Sequence, residues 1–224
     1  MGRFPQKRAQ RGSQKWLQRL VNAYPDLLNA RIIQGAELAE STHITWLSPV
    51  ATDDFAEYRD KAFLDLLTIS LPKRNLKDFW PDRGPQWDAL GRAEDGTVLL
   101  VEAKSHIPEI MSSLGAKFAK SEKLILSSLN ETKEYLNGRS EGDWSSPFYQ
   151  YANRIAHLYL LRVLNEIPSH LVFVYFLNDK EMGGPTTREE WFGAMRLVHS
   201  GLGIGRNRLE PFICNVFIDV RDLV

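Results

Sequence analysis

The sequence predicts an α/β fold in which helices flank a mixed β-sheet and a helical extension precedes it. Segments with helical and strand periodicity follow one another in the order helix, strand, strand, helices, strand, helix, strand. Apolar residues make up 43% of the 224 residues, which is enough for a sizeable core. Asp95-Gly96 separates two apolar runs and is a hairpin signal, so at least two neighbouring strands should be antiparallel.

The N-terminal region, residues 1–50, is expected to be a basic arm with a helical extension, joined to a main domain at 51–224 in one compact unit. Five basic side chains and no acidic one occur in residues 1–15, namely Arg3, Lys7, Arg8, Arg11 and Lys15. Such an arm is either a solvated tail or a contact for nucleic acid, and the sequence leaves both open. Removing residues 1–12 should scarcely affect folding, because the segment has little to bury.

Apolar residues at helical spacing from Trp16 to Leu28, interrupted near Pro25, predict two short helices. The stretch "HITWLSPV" then predicts a short extended segment. Residues 52–69 open with a threonine and several acids, which is typical of a helix start, and the helix should end before Pro72. A basic and aromatic loop, "KRNLKDFWPDRGP", follows.

Two strands, at 86–92 and 97–106, are expected on either side of the "AEDG" turn. The second strand shows little alternation between apolar and polar residues, so both of its faces should be covered. The second half of the chain is predicted to continue with three helices and two strands. In order, these are helix 113–137, helix 148–166, strand 170–178, a helix opened by a capping box at Thr187–Glu190, and strand 211–220.

Three of the charged residues in this hairpin, Asp88, Glu102 and Lys104, lie in or at the end of apolar runs, where charge is costly to bury unless it is paired or binds a metal. Glu102 and Lys104 are two apart and share a strand face, and a turn centred near Asp95 places Asp88 opposite Glu102. Converging carboxylates repel each other unless a cation lies between them, and oxygen ligands suit Mg²⁺ or Mn²⁺. Lys104 would orient or activate an attacking water. Neutralising Glu102 should then stabilise the metal-free protein by relieving the repulsion.

The acid-x-lysine spacing alone is a weak signal, because the chain holds a second copy at Glu131-Thr132-Lys133. That copy falls in an amphipathic helical stretch and is interpreted as part of a solvated helix face. The copy at Glu102 ends an apolar strand and has Asp88 across the turn, so the context and not the spacing makes it the candidate site.

Residues 54–178, which contain this motif, resemble the PD-(D/E)XK nuclease superfamily. The resemblance implies a restriction-endonuclease-like fold in which Asp88 and Glu102 bind the divalent metal and Lys104 serves the hydrolysis of phosphodiester bonds. Four stretches more closely resemble a family of uncharacterised bacterial proteins, for which no substrate is known. They are "WLSPVATDDFAEYRDKAFLDLL", "PQWDALG", "LLVEAKSH" and "YQYANRIAHLYLL".

The resemblance also implies helper residues on two helices. The superfamily often adds an acid from its first core helix, for which Glu57 is the candidate and Asp60 the alternative. RecB-related members carry a Gln and a Tyr on the helix after the catalytic strand. Gln150 is accordingly a candidate catalytic residue, and Asn153 and Arg154 are candidates for binding nucleic acid. Position 154 is Arg where the RecB-like pattern has Tyr, so membership of that subfamily stays open.

The function expected from these residues is that of a Mg²⁺- or Mn²⁺-dependent nuclease in the cytoplasm. The alternatives are a catalytically silent nuclease-fold module that binds nucleic acid or protein, and a metal-dependent hydrolase of another ester. Nucleic acid, and DNA above all, is the expected partner, and no contact with a membrane is expected. The sequence leaves open whether the protein forms a homodimer. The chain has no signal-peptide pattern and no apolar run of membrane-spanning length. Its 28 basic and 28 acidic residues exclude a uniformly basic coat but not a local basic face.

Overall fold

A five-stranded mixed sheet lies at the centre of the computed structural model, which describes residues 2–137 and 142–223. In chain order the strands are β1 (Arg3–Phe4), β2 (Ile44–Ser48), β3 (Glu57–Tyr58), β4 (Ala89–Ala93), β5 (Val98–Lys104), β6 (Ser169–Leu177) and β7 (Ile213–Asp219). The central sheet has the order β2-β4-β5-β6-β7, with the first two pairings antiparallel and the last two parallel. The predicted α/β class with a mixed sheet is confirmed.

Helices cover both faces of this sheet. They are α1 (Gly12–Ala23), α2 (Pro25–Gly35), α3 (Asp60–Leu67), α4 (Leu76–Phe79), α5 (Ala119–Tyr135), α6 (Tyr149–Tyr159, continuing as a π-helical turn over Leu160–Leu164) and α7 (Arg188–Leu202). Helices α1 and α2 pack on one face, and α3 to α7 pack on the other. Across the two described ranges, no helix combines the length and the apolar character needed to cross a membrane.

The central strand β5 is buried from both sides, which explains why its sequence does not alternate. Val98 and Leu100 pack into the core under α3 to α7, whereas Leu99 and Val101 pack into the core under α1 and α2. The same alternation turns the face of Glu102 toward α6. The end of the strand that carries Glu102 therefore faces the layer formed by α3 to α7.

The helix predicted over 52–69 is wrong in its first half. A short 3₁₀ turn covers Ala51–Asp53, strand β3 follows, and α3 begins only at Asp60. The cause is a long-range pairing, in which β1 adds to β3 in an antiparallel two-stranded sheet. Backbone pairing with a segment about fifty residues away therefore overrides local helix-start chemistry.

The interpretation of the basic arm as a solvated tail is also wrong. The Arg3 guanidinium donates hydrogen bonds to Asp53, and the Gln6 N–H donates to the Asp54 carbonyl at 2.9 Å. Phe4 lies under the Arg59 guanidinium, 4.2 Å from the ring centre. The arm is thus part of the fold, while its contact with nucleic acid stays a prediction.

The remaining elements agree more closely with expectation. Both hairpin strands, the two N-terminal helices and the capping box at Thr187 and Glu190 are confirmed. Helix α5 begins later than predicted, because the backbone N–H groups of Ser112 and Leu114 donate to the carbonyls of Pro147 and Ser145. The loop between α5 and α6 includes residues 138–141, which lie outside the described ranges.

Deleting residues 1–8 should lower the free energy of unfolding by about 2 kcal/mol or more, since each lost hydrogen bond contributes roughly 0.5–1.5 kcal/mol. Urea denaturation of the truncated and full-length proteins measures the difference. Lys7→Ala and Arg8→Ala, which change exposed side chains of the same arm, should leave the midpoint unchanged. An unchanged midpoint for the truncated protein would restore the solvated-tail interpretation.

Candidate functional site

The hairpin brings Asp88 and Glu102 together on the face of the sheet that α6 covers. The register pairs Ala89 with Val101, which sets Asp88 opposite Glu102. The Ala103 N–H donates to Asp88 Oδ2 at 2.8 Å and fixes that carboxyl against β5. This is the juxtaposition that the hairpin spacing predicts.

Glu102 is almost fully buried and is held between two cations. Its side chain is 1% exposed, and Lys104 Nζ donates to Oε1. Arg154 Nε and Nη2 both lie 2.6 Å from Oε2. Burial opposes ionisation, but Arg154 and Lys104 together outweigh it and hold the pKa of Glu102 below its ordinary value. Glu102 is therefore the ionised member of the carboxyl pair.

Asp88 lies in the opposite electrostatic situation. Burial, and next the repulsion from Glu102, raise the pKa of Asp88 from 3.8 to about 8, and the attraction of Lys104 and Arg154 offsets this only in part. Asp88 consequently keeps its proton at neutral pH when no further cation is present. Two neighbouring carboxyls whose proton affinities are pushed apart in this way are typical of catalytic and metal-binding sites.

Lys104 connects the strand to the start of α6. Its ammonium donates to Gln150 Oε1 at 3.0 Å as well as to Glu102, and the Gln150 N–H donates to Ser112 Oγ at 2.7 Å. The lysine side chain is 12% exposed, so its ammonium is largely shielded from solvent. The predicted catalytic residues Lys104 and Gln150 are therefore in direct contact.

Arg154 is almost fully buried, which does not suit an arginine that binds a phosphate from solvent. Its side chain is 3% exposed, Nη2 donates to the Gln86 carbonyl at 2.7 Å, and Nη1 donates to Asn153 Oδ1 at 3.2 Å. The guanidinium also lies over the Trp87 ring at 4.7 Å. These contacts give Arg154 a positioning role toward Glu102. Binding of nucleic acid by Arg154 and Asn153 stays a prediction.

Glu57 faces the site, but from strand β3 and not from the predicted helix. Its carboxylate is buried and accepts hydrogen bonds from Gln14 Nε2 at 2.8 Å and from Gln86 Nε2. The alternative acid, Asp60, accepts hydrogen bonds from the backbone N–H groups of Arg83 and Gly84. Asp60 thus fixes the loop that enters β4, while Glu57 lines the site.

Asp88, Glu57, Gln150 and Arg154 line a cleft of about 440 Å³, and Glu102 and Lys104 lie behind this lining. Its lining consists of Glu57, Arg83, Gly84, Pro85, Gln86, Asp88, Ser112, Tyr149, Gln150, Asn153 and Arg154. Sequence reasoning missed Gln14, Gln86 and Ser112, which hold the predicted residues in place. Gln14 and Ser112 come from α1 and from the loop after β5, so no local pattern could have marked them.

Asp88 and Glu102 are the residues of this site that could hold a magnesium or manganese ion, and such an ion would keep most of its waters. Within residues 2–137 and 142–223, no three or more His, Cys, Asp or Glu side chains are grouped so that they could hold a metal. Mg²⁺ commonly takes only one or two protein carboxylates, with water and substrate phosphate completing its shell. No described residue donates to the second oxygen of Asp88, and burial followed by repulsion from Glu102 raises the pKa of this carboxyl despite the nearby Lys104 and Arg154.

Asp88→Asn should stabilise the metal-free protein, increasingly so as pH rises from about 4 to 8. In that range the unfolded chain releases the Asp88 proton while the folded protein retains it, so the wild-type free energy of unfolding falls with pH. The variant has no such proton, and its advantage should grow by at most about 1.4 kcal/mol per pH unit over this range. Urea denaturation in EDTA at several pH values measures it.

The matched control is Asp65→Asn, which changes an exposed carboxylate on α3. Its effect on stability should not grow over the same range. An Asp88→Asn effect that is equally independent of pH would show that Asp88 carries no excess proton in the folded protein.

Comparison of the chain with protein-family models, with curated proteins and with solved structures finds no match in any of the three. The predicted relationship to the PD-(D/E)XK superfamily therefore gains no support from relatives. The functional inference rests on the residues of the cleft and their geometry.

Proposed function

We propose that the protein is a Mg²⁺- or Mn²⁺-dependent nuclease of the PD-(D/E)XK superfamily, with a restriction-endonuclease-like fold, that hydrolyses phosphodiester bonds in nucleic acid. One observation carries the proposal: two carboxyl groups, those of Asp88 and Glu102, meet beside a fixed ammonium at the end of a buried strand. A protein that used these groups only for packing would gain nothing from the excess proton on Asp88, since buried titratable pairs cost stability.

In this proposal Asp88 and Glu102 hold the metal. A bound divalent ion lowers the pKa of a water ligand and polarises the phosphoryl oxygens. Asp88 must lose its proton to bind a cation, and the positive charge removes the repulsion from Glu102 that favours the protonated form. The excess proton of the free protein is thus exchanged for the ion.

Lys104 orients the water or the phosphate. An ammonium has three N–H donors, and the described contacts of Lys104 use two of them, toward Glu102 and Gln150. The third is free to donate to a water or a phosphate oxygen in the cleft. Gln150 holds the lysine through its Oε1, which leaves the Nε2 of the same amide as a further donor.

A catalytically silent nucleic-acid-binding or protein-binding module is the second candidate. The observation that favours it is the saturation of Glu102, whose two oxygens already accept from Lys104 and Arg154 without any metal. In such a module the cluster would be a closed ion-pair network, and Asp88 would remain protonated in every functional state.

Glu102→Gln and Lys104→Ala separate the two candidates. Each should lower Mg²⁺-dependent cleavage of mixed DNA and RNA by roughly a hundredfold or more, the usual effect of losing a metal ligand or a catalytic donor. Only Glu102→Gln should also weaken Mg²⁺ binding, because Lys104→Ala leaves both carboxylates in place. Cleavage assays with Mg²⁺, Mn²⁺ or EDTA and calorimetric metal titration measure the two effects.

Suitable controls are Asp65→Asn and Lys61→Ala, which disrupt an exposed ion pair on α3. The copy of the motif at Glu131 and Lys133 is a poorer control than its sequence indicates. Glu131 accepts from the Tyr159 hydroxyl at 3.2 Å, and Lys133 donates to the Gly142 carbonyl at 2.5 Å. Wild-type protein that cleaves no nucleic acid with either metal would leave the silent module as the function.

A further inference from the structure

A second and larger groove adjoins the acidic cleft. It encloses about 670 Å³ and shares two lining residues, Arg83 and Tyr149, with the cleft that holds Asp88. The groove is lined by Lys77, Trp80, Pro81, Asp82, Arg83, Leu114, Gly115, Ala116, Lys117, Phe118, Lys120, Ser121, Leu124, Ile125 and Tyr149. A ligand lying along this groove would therefore reach the cleft that Asp88 lines, at the Arg83 end.

The groove carries a surplus of positive charge. Four basic residues line it, Lys77, Arg83, Lys117 and Lys120, against the single acid Asp82. In the described part of the chain, none of these four side chains forms an ion pair or donates a hydrogen bond. All four are exposed. Unpaired cations along a groove attract a polyanion, and the phosphate backbone of a nucleic acid is such a polyanion.

The groove also presents an aromatic face. Phe118 is 72% exposed, the most exposed large apolar residue within 2–137 and 142–223, and it precedes α5 between Lys117 and Lys120 in the chain. Trp80 and Tyr149 contribute further aromatic lining. Bases stack on aromatic side chains only when they are unpaired, because in a duplex their faces are covered by neighbouring base pairs. An acidic polypeptide would satisfy the charges but offers no planar base for Phe118.

We infer that this groove binds a single-stranded segment of nucleic acid and leads it to the cleft. The three lysines of the groove and Arg83 contact the phosphates, and a base stacks on Phe118. The inference rests on the proposed nuclease function only for what happens at the Asp88 end. Binding in the groove does not require catalysis.

Fluorescence anisotropy in EDTA tests the inference without cleavage. The probes are a labelled oligothymidylate, an oligouridylate, a blunt DNA duplex of equal length and a labelled polyglutamate. Either single strand should bind more tightly than the duplex and the polyglutamate, and the two single strands distinguish DNA from RNA as its source. Phe118→Ala should weaken single-strand binding by roughly 5- to 150-fold, the loss expected for one stacked base. Lys117→Ala and Lys120→Ala should each reduce the dependence of log affinity on log salt by about 0.7.

Two exposed residues outside the groove provide matched controls. Phe192→Ala removes an exposed phenyl from α7, and Lys180→Ala removes an exposed charge after β6. Neither should change single-strand affinity. The inference is overturned if the duplex or the polyglutamate binds as tightly as the single strands, or if Phe118→Ala behaves like Phe192→Ala. Selective single-strand binding by a protein that cleaves nothing would refute the nuclease but not the groove.

Discussion

The buried ion pair between Glu102 and Arg154 is the interaction on which the rest of the site depends. It joins the central strand β5 to helix α6, and both side chains are almost inaccessible to water. Such a pair costs desolvation energy and is weak evidence for stability, but it fixes geometry, because removing either partner leaves an uncompensated buried charge. The pair holds Glu102 ionised, and an ionised Glu102 is what makes a second negative charge on Asp88 unfavourable.

Several distant parts of the chain converge on this pair. The Gln86 carbonyl and the Trp87 ring, just before β4, also contact the Arg154 guanidinium. Glu57, on β3, accepts from the amides of Gln14 and Gln86. The N-terminal arm therefore contributes to the electrostatics of the cleft through the strand it pairs with. The cleft beside this pair shares Arg83 and Tyr149 with the groove that carries Phe118.

Features that depend on short-range pattern could be predicted from the sequence. The hairpin at Asp95-Gly96, the shared face of Glu102 and Lys104 and the capping box at Thr187 follow from spacing alone, and the structure has all of them. Features that depend on long-range partners could not. The pairing of β1 with β3 replaces a predicted helix, because local periodicity does not encode a partner about fifty residues away.

The same limit applies to the charges. Sequence reasoning assigned the excess negative charge to Glu102, since the position of Arg154 in space was unknown. Arg154 and Lys104 stabilise the charge of Glu102, so the repulsion between the two carboxylates disfavours the charge of Asp88. Neutralising Asp88, and not Glu102, is therefore expected to stabilise the protein. Which acid of a pair is protonated is a property of the folded surroundings and not of the motif.

The central claim, that Asp88 holds a proton which a divalent cation displaces, is tested most directly by calorimetric titration with Mg²⁺ at pH 7. Titrations in buffers of different ionisation enthalpy give the number of protons released. The account predicts release of about one proton per bound ion. It also predicts loss of both binding and release in Asp88→Asn. Binding without proton release, or binding that Asp88→Asn leaves intact, would contradict it.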